Sequence, residues 1–150
     1  MPDLRPVTLT RIHHVGIAVT DLDAAIERYR SAFPLVVAAL ETNDEQGVRE
    51  AMLQLDSSDA DALAPSYVQL VSPLHADTPV GRFLATRGEG VHHVGYAVES
   101  VSLAMKTLAA QGFRVLDAVP RHGSLGAAIA FVHPKDLHGV LTELVEPARG

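Results

Sequence analysis

Four polar side chains fall at matched places in a duplicated pattern, and their types suit a metal ion. His14 and Gln69 belong to one copy, His93 and Glu143 to the other. Two imidazoles, a carboxylate and an amide oxygen form a hard-to-borderline donor set. Such sets hold divalent first-row ions with coordination positions left open. A fifth residue, Glu50, breaks the duplication, because Ile129 stands at the equivalent place. From the residues alone Glu50 is either an edge-strand glutamate in solvent or the mark of a function peculiar to one copy. Glu45, in Asp44-Glu45-Gln46-Gly47, reads as a turn residue.

The duplication itself is explicit. Ile12-His13-His14-Val15-Gly16-Ile17-Ala18-Val19 recurs as Val91-His92-His93-Val94-Gly95-Tyr96-Ala97-Val98, with 6 of 8 positions identical at an offset of 79. Alternation puts His14, Gly16 and Ala18 on one strand face and His13, Val15, Ile17 and Val19 on the other. The small residues beside His14 and His93 predict open space, and His13 and His92 are expected in packing or solvent contact. A helix follows each strand. Asp21 or Thr20 caps the first, with the stripe Leu22, Ile26, Tyr29 and Phe33. Ser100 caps the second, with Val101, Met105 and Leu108, and Gly112 closes it. Gln69-Leu70-Val71-Ser72-Pro73 and Glu143-Leu144-Val145-Glu146-Pro147 match at an offset of 74 and close the two copies.

Two further strands fit between helix and closing strand, at about 34–41 and 48–55 in the first copy and about 113–118 and 127–132 in the second. The expected architecture is α+β: two tandem βαβββ modules whose curved mixed sheets form a metal-binding cleft. The chain reads as a single domain, with module one at about 11–75, a linker helix at about 78–88 and module two at about 90–147. Thr78-Pro79 starts that helix, and residues 56–65 read as a solvated loop. His75, His122, His133 and His138 are expected in surface turns.

Composition narrows the partner. The 150 residues are 47% apolar and 20% charged, enough for a packed core. No apolar run reaches the roughly 18 residues of a spanning helix, and Met1-Pro2-Asp3-Leu4-Arg5 has no signal-peptide pattern. Cysteine is absent, which excludes disulfides, thiolate metal sites and a cysteine nucleophile, and points to the cytoplasm. A net charge of −6 and the lack of tryptophan argue against nucleic acid. A small molecule is the expected partner.

Several segments together resemble the vicinal oxygen chelate superfamily and, within it, the methylmalonyl-CoA epimerases. They are His14 to Val19, Glu45 to Val48, Val68-Gln69-Leu70, Gly88 to His93, His133-Pro134-Lys135 and Gly139 to Leu144. The resemblance implies metal ligation by His14, Gln69, His93 and Glu143. The ion it implies is most often Co2+, with Mn2+, Ni2+, Zn2+ or Mg2+ as substitutes. It also implies a general base at Glu50, with Glu143 as the candidate on the opposite face of the substrate carbon, and a homodimer. Many relatives carry Glu at the position of Gln69. The implied reaction removes the acidic α-proton of methylmalonyl-CoA and returns it on the other face, through an enolate that the metal stabilises. Arg49, Arg121 and Lys135 are candidates to receive the CoA phosphates of the anionic thioester. Two rival readings are another enzyme of the same superfamily, glyoxalase-like or acting on a related acyl-CoA, and a non-catalytic binding protein on the same fold.

Overall fold

The structure, a computed structural model, describes residues 5–55 and 65–149. It is a mixed α+β fold of two βαβββ modules. The first contains β1 (Arg11–Ala18), α1 (Leu22–Ala32), β2 (Leu35–Asn43), β3 (Val48–Leu55) and β4 (Tyr67–Pro73). After the connecting helix α2 (Pro79–Arg87) come β5 (Gly90–Ala97), α3 (Val101–Ala110), β6 (Arg121–His122), β7 (Ala128–Val132) and β8 (Thr142–Glu146). Strand order is β2-β3-β4-β1 in one module and β5-β8-β7-β6 in the other. The chain divides into two compact units, residues 14–92 and residues 93–149 with the N-terminal segment up to His13.

Each module joins its first and last strands in parallel and adds the rest antiparallel. Gly16 lies opposite Gln69 on β1 and β4, and Gly95 lies opposite Glu143 on β5 and β8. Further out, Met52 opposes Gln69 and Glu50 opposes Val71, while Phe131 opposes Glu143 and Ile129 opposes Val145. The two offsets seen in the sequence are therefore one and the same strand register, repeated.

Helix starts follow local capping chemistry. The Asp21 carboxylate accepts from the Ala24 amide at 3.0 Å, Thr78 Oγ1 from Gly81 at 3.0 Å, and Ser100 Oγ from Leu103 at 3.1 Å. Each cap satisfies an amide that the helix cannot, a contribution of about 1 kcal/mol. In the first unit Leu22, Ala51, Leu53 and Leu70 pack with Ile26 and Tyr29 of α1. In the second, Val101, Ala104 and Met105 of α3 pack with Ala130, Val132 and Leu144, and Val7 joins them. Burying each large aliphatic side chain here contributes roughly 1.5–3 kcal/mol.

The structure corrects four expectations. Residues 113–118 do not form a strand. Only a bridge from Val115 to Val132 occurs there, and β6 comes later and is short. The Asp117 carboxylate takes the Phe131 amide at 2.8 Å, in place of a backbone ladder, and Pro120 has no amide to donate. Phe33, expected in the α1 stripe, is 57% exposed because it lies past the helix in extended backbone. The face expected to be open near Ala18 is filled at that end, where Ala18, Val48 and Val71 pack with Val80 of α2. His122 lies in β6 and not in a turn. The loop expected at residues 56–65 lies, up to residue 64, outside the described residues.

Two consequences for stability follow. Gly81 sits in the first turn of α2, where a Cβ would come within 2.5 Å of the Ala76 carbonyl and 2.8 Å of the His75 carbonyl. Gly81→Ala forces backbone to move. A cost of about 1–3 kcal/mol is expected, read as a loss of several degrees in thermal midpoint by calorimetry. Arg114 ties the β7–β8 connection through a 2.7 Å guanidinium contact to Asp136, whose carboxylate also accepts the Arg114 amide at 2.7 Å. The guanidinium hydrogen bond, with the amide second, holds the Asp136 carboxyl down at about 2. A lowered carboxyl pKa favours the native state above the unfolded value near ~4 and loses that effect as pH falls toward 2. Thermal midpoints of wild type and Asp136→Asn should differ at pH 6 and converge between pH 4 and pH 2.

Candidate active site

In the first unit, β1 and β4 bring small and polar residues side by side. His14, 2% exposed, alternates with Gly16 and Ala18 on β1, and Gln69 occupies the register position opposite Gly16. The Gln69 Nε2 donates to Glu50 Oε2 at 2.9 Å. Both side chains are buried, at 4% and 5% exposure. Glu50 is therefore not an edge-strand residue in solvent, because β3 is paired on both sides. A buried carboxylate costs several kcal/mol unless a donor meets it, and the Gln69 amide is such a donor. This hydrogen bond also fixes the amide orientation, turning Oε1 away from Glu50 as the donor atom for a cation.

In the second unit, β5 and β8 repeat the arrangement. His93 and Glu143 are buried, and His93 Nε2 lies 3.1 Å from Glu143 Oε2. A contact of that length between an imidazole nitrogen and a carboxylate requires either a proton on the nitrogen or a cation shared by both lone pairs. Phe131 closes on the His93 ring edge-on, with centroids 5.9 Å apart. With His14, these two residues make a buried His/His/Glu triad capable of metal coordination. The donor chemistry fits a divalent first-row ion, since neutral imidazole and carboxylate are its common ligands.

The other candidates fall out differently. Arg49 alternates with Glu50 and so projects from the opposite face of β3, where it pairs with Asp23 of α1 at 3.2 Å. Arg121 lies on β6 opposite Ile129 and contacts Asp117 at 3.5 Å. Lys135 is exposed in a short 3-10 turn. His13 is buried on the face opposite His14, and His92 meets the Phe83 ring edge-on at 5.0 Å. His75, His122 and His138 are exposed, while the His133 Nδ1 accepts from the Lys135 amide at 3.0 Å. Two residues that share these faces escaped the sequence reading. Glu41 opposes Glu50, and Phe131 opposes Glu143. The signals were present: the four-residue turn Asp44 to Gly47 sets the first pairing, and the offset of 79 from Met52 sets the second.

Residues 13–131 match the Glyoxalase/Bleomycin resistance protein/Dioxygenase superfamily. A Streptomyces coelicolor methylmalonyl-CoA epimerase variant in complex with 2-nitronate-propionyl-CoA superimposes with a TM-score of 0.88 at 49% identity. That match covers 95% of this chain and 100% of the other. The Mycobacterium tuberculosis methylmalonyl-CoA epimerase gives 0.87 at 38% identity, covering 98% and 94%. An ethylmalonyl-CoA/methylmalonyl-CoA epimerase of Cereibacter sphaeroides is 35% identical over 136 residues, 89% of this chain and 96% of that protein. No described helix is long and apolar enough to cross a membrane. By sequence and by structure, the chain belongs to the methylmalonyl-CoA epimerase family of the glyoxalase/bleomycin resistance protein/dioxygenase superfamily.

Proposed function

We propose that this protein is a metal-dependent epimerase that interconverts (2R)- and (2S)-methylmalonyl-CoA. The observation that carries the reading is the pair of buried carboxylates, Glu50 and Glu143, each held by its own partner on the inner strands of a different copy. Inversion at an acidic carbon requires a proton to leave one face and arrive at the other. Two carboxylates with separate supports meet that requirement where one does not.

His14, Gln69, His93 and Glu143 are the ligands of the reading, and Co2+ is the ion it favours. When bound, such an ion supplies Lewis-acid stabilisation of the negative charge that develops on the substrate oxygens. The remaining work belongs to the side chains. Glu50 takes the α-proton on an oxygen, and Gln69 Nε2–H, donating to Oε2, holds the carboxylate in one orientation. An amide at position 69 serves both purposes, since its oxygen can ligate while its nitrogen donates. A glutamate there would set two carboxylates against each other. Glu143 is the group for the opposite face. All these side chains are buried. The whole chain acts as one domain of the family, as a cytoplasmic homodimer with an acyl-CoA as its small-molecule partner. The resemblance of its segments to the epimerases and the absence of cysteine support that part of the reading.

Two measurements test it. His93→Ala should weaken binding of Co2+ by more than about 100-fold in calorimetric titration, because an inner ligand is lost where outer partners alone are worth 10–100-fold. Retained affinity would remove His93 from the ligand set. Glu50→Gln keeps shape and metal content, and epimerisation should fall by about 10²–10⁴-fold. Deuterium wash-in, followed on each epimer separately, should persist for one epimer alone. Unchanged turnover would return Glu50 to a structural role.

A further inference from the structure

In the second unit the strand pairing of β7 stops short on its outer side. β6 reaches only Ala128 and Ile129, and the next contact is the bridge from Val115 to Val132. Phe131 lies in the gap between them. Its amide donates to Asp117 Oδ2 at 2.8 Å, and its carbonyl accepts from the Leu116 amide at 2.8 Å. Both groups point away from β8, so Phe131 and Glu143 form a non-hydrogen-bonded pair, the kind in which opposed side chains lie closest. The same ring meets the His93 imidazole edge-on. One side chain thus adjoins both of the polar residues that β5 and β8 bring together.

The segment that holds Phe131 is turned inside out. Leu116 is 52% exposed and Val119 68%, whereas the Asp117 side chain between them is 9% exposed. Showing water two apolar side chains while withdrawing a carboxylate runs against the ordinary partition of residues. Both oxygens of that carboxylate are engaged, Oδ2 by the Phe131 amide and Oδ1 by Arg121 Nη1 at 3.5 Å. Ordinary backbone could close this edge, and in the first copy it does. Met52 stands at the place of Phe131, and β2 runs alongside it with one register shift between Val37 and Ala39. The carboxylate belongs to the copy in which the residue it holds packs on a histidine.

We propose that Asp117 is a positioning residue of the metal site. By accepting the Phe131 amide it seats the Phe131 ring against His93 and beside Glu143, and so fixes the geometry in which these two ligands meet an ion. This rests on the reading of His93 and Glu143 as ligands and adds the group that aligns them. Neighbours that orient a ligating imidazole raise metal affinity without touching the ion. A ring packed edge-on restricts the imidazole it faces, and it can do so only while its own backbone is held in place.

The test is calorimetric titration of the full chain with Co2+, with the visible absorption of the bound ion and the thermal midpoint of the metal-free protein recorded alongside. Asp117→Ala should weaken binding roughly 10-fold, the lower end of what partners outside the ligand sphere are worth, and shift the absorption bands. Asp117→Asn keeps an oxygen for the Phe131 amide and should bind within about threefold of wild type. Phe131→Leu should lose about as much as Asp117→Ala, and the double variant no more than about twofold beyond Phe131→Leu, since both cut one path. Gly81→Ala, destabilised in the other unit, should melt lower yet bind Co2+ as wild type does. An Asp117→Ala protein that behaves in the same way overturns the proposal and leaves Asp117 a structural role. Losses that multiply in the double variant overturn it, as does an Asp117→Asn loss equal to that of Asp117→Ala. Should Asp117→Ala fail to fold, Asp117→Glu carries the comparison, because its acceptor is displaced by one methylene. Wild-type affinity and bands in that variant overturn the proposal. Wild-type protein that takes up no Co2+ removes the metal-dependent reading and this inference with it. Tight wild-type binding indifferent to Asp117 and Phe131 removes only this inference.

Discussion

A carboxylate cannot be kept out of water without a partner, and this fold keeps two. Glu50 and Glu143 are each 5% exposed, one supported by Gln69 and the other in contact with His93. Without those contacts each group would lose its charge or destabilise the strand that carries it. Strand order and register follow from this requirement. The donor or ligand must face the carboxylate on the neighbouring strand, and a slip of one residue would turn either member of a pair to the other face. Parallel pairing of the first and last strands in each copy, with a glycine opposite each of Gln69 and Glu143, satisfies the condition twice.

Much of this was legible in the sequence because it is periodic. The duplicated octapeptide fixed which histidine of each pair lies on the polar face, and the offset of 74 at the closing strands located Gln69 and Glu143. Capping residues marked the helix starts for a local reason, since an oxygen three residues ahead of an amide is visible in any sequence. What stayed hidden depended on partners distant in the chain. Glu50 alternates with Arg49 and could have faced water. That Gln69, 19 residues on, would donate to it is a fact of pairing, not of pattern. The failed strand at 113–118 has the same origin, because Asp117 competes with a backbone ladder by accepting from Phe131. Residues 113–118 carry apolar alternation enough for a strand, and a single side-chain acceptor redirects them.

The copies have diverged where chemistry differs and agree where geometry is shared. Gly16 and Gly95, or Ala18 and Ala97, are interchangeable spacers. Glu50 against Ile129, and Glu41 against Arg121, are reversals of polarity at identical register places. Duplication supplies a frame with two equal halves, whereas a chiral carbon carrying one thioester and one carboxylate is unequal from every direction. A protein built from a repeat acquires the necessary difference between its halves by substituting side chains on a preserved backbone.

The repeat in the gene and the compact unit in the fold are not the same stretch of chain. Residues up to His13 are counted with the second unit. Val7 packs into the core around α3, and the Thr10 amide donates to the Ala97 carbonyl at 2.9 Å. A cut at the connecting helix would therefore separate the second copy from a piece of its own core and leave the Ala97 carbonyl short of that donor. Anyone dividing this protein for a split-reporter assay, or rejoining its ends in a permuted order, has to carry residues 5–13 along with the C-terminal half.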